Sequence, residues 1–483
     1  MRSEGTLTQT VPLDIVGGTS FDRYRKQSIE ATYNMIISDG ALVPYAGYKR
    51  RLNILPGTEE ARGLYKSSSF NHLFVVIEDS LFVVGPSISA RRVGFLKTST
   101  GAVYISENNR SEVAIVDGLT VYIYNYDTDT FKTFDETNPL VVPFKPIYIT
   151  YQDTYFIVAD GNSNEWYLSN INSSGDVSFV NPLRAGAIET KPDVSVAAIA
   201  FERQLFVFGK NTTEIWHDVG TQLFPYQRDN SVSIDYGCLN AQTIAMGFGR
   251  LVWLAGNESA SPTIMVSNGG NPQQISTDGI NFQLGTLTKP EDASAFIFEQ
   301  DGHVLYQITF NTDNVTYIYD FNTNKFFNAT DNCGNKHIAK DIVYFQNTHY
   351  FISSKDAALY EMSTDLETYH ESLKEGEKDY EIPRSRITKN FRLPNAESYA
   401  INEISITMEQ GNTTEDRRVD MAMSKDGGAS FGNIFGKNVR ALPNRVNRMR
   451  FQKLGSANDC VFQFRFWGKF RFVVIGATMS YWR

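Results

Sequence analysis

The sequence predicts an all-β fold, a β-propeller of about six or seven blades with a C-terminal β-sandwich-like domain. Three observations carry this expectation. Short apolar runs separated by tight turns recur through the middle of the chain, which is the grammar of β-hairpins. They recur at a near-regular interval. One second-strand anchor from each unit (Phe82, Val121, Phe156, Phe206, Val252, Leu305 and Phe351) gives gaps of 39, 35, 50, 46, 53 and 46 residues. A repeat of about 40–50 residues holding four short strands marks propeller blades. Finally, 25 Tyr and 33 Phe in 483 residues favour strands, because flat rings pack on a pleated, half-buried surface. One small sheet cannot bury both of its faces, whereas a ring of sheets buries each against the next.

Residues 1–63 form an irregular N-terminal segment. Within it Ser28–Ser38 has strand composition and is expected to close the ring by pairing with a late blade, which removes open edges. The propeller spans 64–364. Its first hairpin, Asn71–Gly85, turns at Glu78-Asp79-Ser80. The second, Val113–Asn125, turns at Asp117-Gly118, a pair suited to a type I′ turn because both central residues take positive φ. The cadence returns at Tyr148–Leu168, Ala198–Trp216, Thr243–Val266, Ala295–Phe327 and Ile342–Met362. Seven units predict six or seven blades, one of them shared between the chain ends. Residues 365–382 are charge-dense and read as a connection with room for one short helix. Strand grammar resumes over 383–483. Phe462, Phe464 and Phe466 alternate with Gln463 and Arg465, giving one aromatic and one polar face. This is enough β structure for a small sandwich.

Cys238, Cys333 and Cys460 stand far apart with one left over. A disulfide framework is not expected, and they read as buried apolar residues of a protein folded in a reducing cytoplasm. The N-terminus has no apolar run of signal-peptide length. No segment approaches the ~20 apolar residues that span a bilayer, so no membrane association is expected. The net charge of -9 is uneven. Nine bases lie between Lys437 and Arg471, among them Arg440, Arg445, Arg448, Arg450 and Lys453, opposed only by Asp459. That stretch carries +8 and the remainder -17, which marks either a solvated basic face or a docking surface for an acidic partner or DNA. On a strand, Met449 and Phe451 share one face while Arg448, Arg450 and Gln452 share the other.

Ser424-Lys425-Asp426-Gly427-Gly428-Ala429-Ser430-Phe431 fits an Asp-box turn. Ser424 and Asp426 cap the backbone, Gly428 takes positive φ, and Phe431 pins the hairpin. Asp boxes occur in sialidase propellers, but the preferred reading is a stable turn. Ser276–Phe282 is a looser copy. Gly247-Phe248-Gly249 precedes a strand rather than a helix, so it is no nucleotide fingerprint. The six histidines lack metal-ligand spacing. Catalytic residues, cofactors and metals are therefore not expected. The alternative function, a glycan-binding or polysaccharide-degrading propeller, requires clustered acids at the propeller axis.

Three stretches carry a resemblance to a family. They are Tyr24–Ile36 with Leu42–Gly47, then Ala200–Trp216 with Tyr236–Asn240 and Leu251–Leu254, and finally the Asp-box hairpin followed by Arg445–Lys453. Together they resemble the tail-hub proteins of short-tailed bacteriophages, also called packaged-DNA-stabilisation or head-completion proteins. The shortened turn before Trp216 and the charged stretch 366–381 depart from the pattern. The resemblance implies a virion structural protein rather than an enzyme. It implies a ring of copies, a hexamer, around a DNA-wide channel in the tail. Its implied partners are a head-tail adaptor on the portal side, a tail fibre or spike, a tail needle or plug, and DNA passing without sequence specificity.

Overall fold

In a computed structural model, residues 8–21, 29–55, 57, 61–134, 144–170, 179, 184–191, 193–410, 417–439 and 446–482 are described. Seven antiparallel sheets follow one another between Ala61 and Ser363. Their first strands are Ala61–Lys66, Tyr104–Glu107, Pro146–Gln152, Ser195–Phe201, the broken pair Gly237–Cys238 and Ala245–Gly247, Ser294–Gln300, and Ala339–Phe345. Each sheet touches the next, and the seventh touches the first. There Lys340 Nζ donates to the Ala61 carbonyl at 2.7 Å.

The ring closes because each neighbouring pair of sheets shares an apolar filling. Val83, Leu96, Ile115 and Tyr122 join the first two. Phe156, Val158 and Ile123 join the second and third. Trp166, Phe206, Trp216 and Trp253 knit the third, fourth and fifth. Val75, Ile77, Ile352 and Leu359 join the first to the seventh. Side chains of this size contribute about 1.5–3 kcal/mol each when fully buried.

The seventh sheet takes its fourth strand, Gly47–Asn53, from the N-terminal segment, antiparallel to Ala358–Ser363. Ser28–Ser38 is not that strand. Asn34 lies at φ 54 and breaks the segment in two. Ile29–Tyr33 bridges Tyr33 to Asn328 of the sixth sheet and also pairs with Arg384–Ile387, while Met35–Ser38 pairs with Ala41–Pro44. Residues 365–382 hold a hairpin, Thr368–His370 with Asp379–Glu381, where a helix had room.

The C-terminal strands form two stacked sheets. One runs Ala41–Pro44, Phe472–Trp482, Tyr399–Gln410, Val446–Ala457, with Gln9–Leu13 also on Phe472–Trp482. The other runs Ile29–Tyr33, Arg384–Ile387, Asp459–Trp467, Arg417–Ser424, Phe435–Val439. Ile404, Ile406 and Met479 of the first meet Phe462, Phe464 and Phe466 of the second in one core. The alternation of aromatic and polar residues places the phenylalanines inward, as their spacing predicts. The two chain ends thus share the sandwich.

Three local expectations change. The hairpins at 71–85 and 113–125 join second to third strands, whereas the later ones join first to second. In the first two sheets the middle pair is buried at every position but Asn125, so its apolar signal dominates. At Asp117-Gly118 only Gly118 has positive φ. Asp117 instead caps Leu119 and Thr120 through Oδ1 at 3.0 Å each. Cys333 is exposed, whereas Cys238 and Cys460 are buried, and all three are free thiols.

Candidate functional site

The Asp-box turn joins Arg417–Ser424 to Phe435–Val439 at one end of the sandwich. Ser424 Oγ donates to Asp426 Oδ1 at 2.6 Å and accepts from Gly428 N at 2.8 Å. Asp426 Oδ1 also accepts from Ser430 N at 2.9 Å. These bonds stabilise the carboxylate and hold its pKa well below the usual range. Gly427 and Gly428 take φ 75 and 96. The aromatic packed against the core is Phe435, while Phe431 is half-buried. Ser424, Asp426 and Ser430 spend their hydrogen bonds on one another and on the backbone of the motif, which is the pattern of a stabilised turn. The looser copy is not a turn of this kind: Thr277 caps a short helix, Asp278–Leu284.

The basic strand, Val446–Ala457, forms an edge of its sheet. Met449 and Phe451 are buried, while Arg448, Arg450, Gln452 and Lys453 are exposed, the two-faced arrangement its alternation implies. Arg448 Nε donates to Ser405 Oγ at 2.7 Å, and Arg450 Nε stands 3.6 Å from Glu403. Lys453 sits at a register shift with φ 61, which turns its side chain off the regular pleat. Arg440 and Arg445 lie outside the described residues.

Other bases of the same stretch serve the chain itself. Lys469 pairs with Asp379 of the charged hairpin, and Arg471 lies 3.6 Å from Asp301 of the sixth sheet. Sequence reasoning grouped these with the docking bases. The signal it lacked was the counterpart of each, Asp379 in the acidic 365–382 stretch for Lys469 and Asp301 in the propeller for Arg471.

The propeller axis encloses a cavity of about 170 Å³ lined by Arg62, Tyr104, Tyr148, Gln242, Lys340 and Asp341, among others. Arg62 is buried and spends its donors on carbonyls of Glu78, Thr98, Thr100 and Gly101 and on Thr98 Oγ1. The Tyr104 and Tyr148 rings lie 4.4 Å apart. Burial pushes Asp341 up to about 7 and Cys238, close by, up to about 12, because a low-dielectric setting disfavours the charged form. Among the described residues the lining offers one carboxyl, whereas glycoside hydrolysis uses a pair. Nor do three or more His, Cys, Asp or Glu side chains converge as a metal site. No helix among them is long and apolar enough to cross a membrane. A duplex, whose major groove alone is about 12 Å wide, cannot thread this cavity.

Two family models match the chain. The bacteriophage P22 Gp10 β-propeller covers residues 23–367 and the bacteriophage P22 Gp10 β-sandwich covers 384–481. No curated protein matches significantly. Among solved structures, virginiamycin B lyase from Staphylococcus aureus is 13% identical, covering 65% of this chain and 99% of its own, with TM-score 0.46. A streptogramin B lyase is 11% identical over 66% of this chain and 97% of its own, with TM-score 0.45. Likeness at this level carries no argument about activity.

Proposed function

The chain belongs to the bacteriophage P22 Gp10 family of packaged-DNA-stabilisation proteins, and from that premise we propose that it is a tail hub. Copies form a ring, a hexamer, below the adaptor and portal of a short-tailed virion. The ring retains packaged DNA, lines part of the ejection channel, carries fibres or spikes outside and holds a needle or plug. The observation that carries the reading is the double match: propeller and sandwich models of one phage structural family follow each other along this chain.

The axial cavity supports placing the channel between copies rather than through one, since the axis holds only about 170 Å³ of space lined by Tyr104, Tyr148 and their neighbours. The acidic balance suits a DNA conduit, because like charge keeps phosphates sliding rather than sticking. The test is mass spectrometry and immunogold microscopy of purified virions, with a depletion strain alongside. The expected result is the chain at the tail vertex, and leaking, tail-less heads without it. A virion lacking the chain would overturn the reading.

A further inference from the structure

The two bodies of the chain carry opposite charge. Residues 64–364 hold 18 Lys and Arg against 32 Asp and Glu, a net -14. Residues 383–483 hold 17 Lys and Arg against 8 Asp and Glu, a net +9. Within one chain the two already meet through unlike charges, Arg471 facing Asp301, and Lys469 pairs with Asp379 of the hairpin between them. Such polarity selects among modes of self-association. A two-fold interface confined to either body sets basic on basic or acidic on acidic, and one that pairs the two bodies reciprocally closes at two copies. A head-to-tail contact sets basic on acidic, and it generates rings or filaments.

Each surface has a concrete face. On the sandwich it is the exposed edge strand with Arg448, Arg450 and Lys453. On the propeller it is a groove of about 540 Å³ at the rim between the third and fourth sheets. Its walls include Trp216, Phe224 and Tyr226, with Glu165 and Glu189 beside them. Arg228 in the wall stands 3.2 Å from buried Glu214 and 3.9 Å from Glu189, and Glu165 accepts from the Tyr167 hydroxyl, so the groove already holds one guanidinium of its own. Burial raises the pKa of the Tyr226 hydroxyl, and the nearby charges of Asp218 and Asp153 add to it. Aromatic faces flanked by carboxylates are the chemistry that takes a guanidinium or ammonium group.

We propose that copies of this chain associate head to tail, the basic edge strand of one sandwich placing a cationic side chain in the acid-flanked aromatic groove of the next propeller. This rests on the hub reading and supplies its contact between subunits.

Two full-length variants test it, Arg448→Glu/Arg450→Glu/Lys453→Glu and Glu165→Gln/Glu189→Lys. Native mass spectrometry and sedimentation velocity would be run at about 0.05 M and about 0.5 M salt, which shortens the screening length about threefold. The wild type is expected to assemble beyond a dimer at low salt and dissociate at high salt. Each variant alone should lose association by about 30-fold or more, as when one partner of a close charge pair is removed. Mixed together, the two variants should recover assembly with the two kinds of copy alternating, because the unchanged strand still meets the unchanged groove and the charge-reversed strand meets the groove carrying Glu189→Lys. Circular dichroism melts matching the wild type, and an intermediate phenotype for Arg448→Gln/Arg450→Gln/Lys453→Gln, separate lost contact from lost fold. The proposal is overturned if the mixture stays monomeric, if the variants associate like wild type, or if the charge-reversed strand loses only DNA binding. A wild type that stays monomeric at low salt yet sits in the virion tail also overturns it, and leaves the hub reading standing. Absence from the virion sinks the hub reading instead.

Discussion

Replacing Arg386 with Met should release the N-terminal segment from the sandwich while sparing the propeller. The guanidinium is fully buried and all five of its N–H groups are engaged. Nε donates to Ile15 O at 2.9 Å. Nη1 donates to Gly18 O at 2.8 Å and Thr32 Oγ1 at 3.1 Å. Nη2 donates to Asp14 O at 3.1 Å and Glu30 Oε1 at 2.5 Å. Met keeps the stem but strands three carbonyls and leaves Glu30, only 8% exposed, with Ser20 Oγ at 2.9 Å and Lys389 at 3.8 Å as its remaining partners. Removing one partner of a buried pair costs about 3–5 kcal/mol. At about 1.4 kcal/mol per tenfold, amides of Gln9–Phe21 should exchange roughly 10²- to 10⁴-fold faster by hydrogen-exchange mass spectrometry. Exchange in the fourth propeller sheet should not change. Because Glu30→Gln removes the stranded charge, the double variant should fall short of the summed single effects by about 2 kcal/mol. Gly17→Ala should open the same segment, since a Cβ there meets Arg386 Nη2 at 2.2 Å. A rise under about tenfold, or strict additivity with Glu30→Gln, would refute the view that this ion pair ties the two chain ends together.

His337 and Asp341 predict opposing pH slopes. Burial lowers His337 to about 4, so between pH 6.5 and 4 the unfolded chain binds the extra proton. Stability from this group is complete above 6.5 and is lost toward pH 4, by up to about 3.4 kcal/mol. Asp341 is raised to about 7, so its contribution runs the other way, present at pH 4 and lost as the pH rises to 7. Denaturant titrations across pH 4–7 should therefore show Asp341→Asn gaining relative to wild type at pH 7 but not at pH 4, and His337→Gln losing the acid-side decline; parallel curves would refute both assignments. Gly47→Ala should destabilise the closing strand, because a Cβ there meets Leu366 O at 2.2 Å; an unchanged unfolding midpoint would mean the seventh sheet tolerates the crossing. Asn34→Gly keeps the positive φ but removes bonds to Thr330 and Pro383. It should broaden the small-angle X-ray scattering profile, and an unchanged profile would show that the junction is held elsewhere.

Much of this was legible in the chain because its signals are local. The spacing of buried runs gave the repeat, and Phe462, Phe464 and Phe466 gave the sandwich face. One internal repeat lay unread: Tyr122–Phe131 and Tyr317–Phe326 share the pattern Tyr-Ile-Tyr with a later Thr and Phe. In each, a tyrosine hydroxyl caps the turn, Tyr124 on Asp129 at 2.8 Å and Tyr319 on Asn324 at 2.9 Å. Both capped residues take positive φ. What the chain hid was non-local. Nothing about Gly47–Asn53 alone marks it as the partner of Ala358–Ser363, because the pairing is fixed by contacts some 310 residues distant in sequence. Nor does the basic stretch show which of its charges face Asp379 and Asp301 and which remain outward.

The junction decides what such a chain can build. Tyr33 pairs with Asn328 of the sixth propeller sheet and, one strand on, with Ser385 of the sandwich, so a single hydrogen-bonded surface runs from one body into the other. Asn34 follows at φ 54. Its side chain donates to Thr330 Oγ1 at 2.8 Å and Pro383 O at 3.0 Å, and accepts from Thr330 N at 2.8 Å. Propeller and sandwich are fastened at the same residue from both sides. In a head-to-tail assembly the angle between the two ends of one subunit is the rotation passed to the next. A loose junction would spread that angle and give open chains of mixed length, whereas a fixed one lets the rotation repeat and close. Rigidity at Asn34 and opposite charge at the two ends are therefore parts of one requirement: the first sets the geometry of closure and the second makes the contact that repeats it.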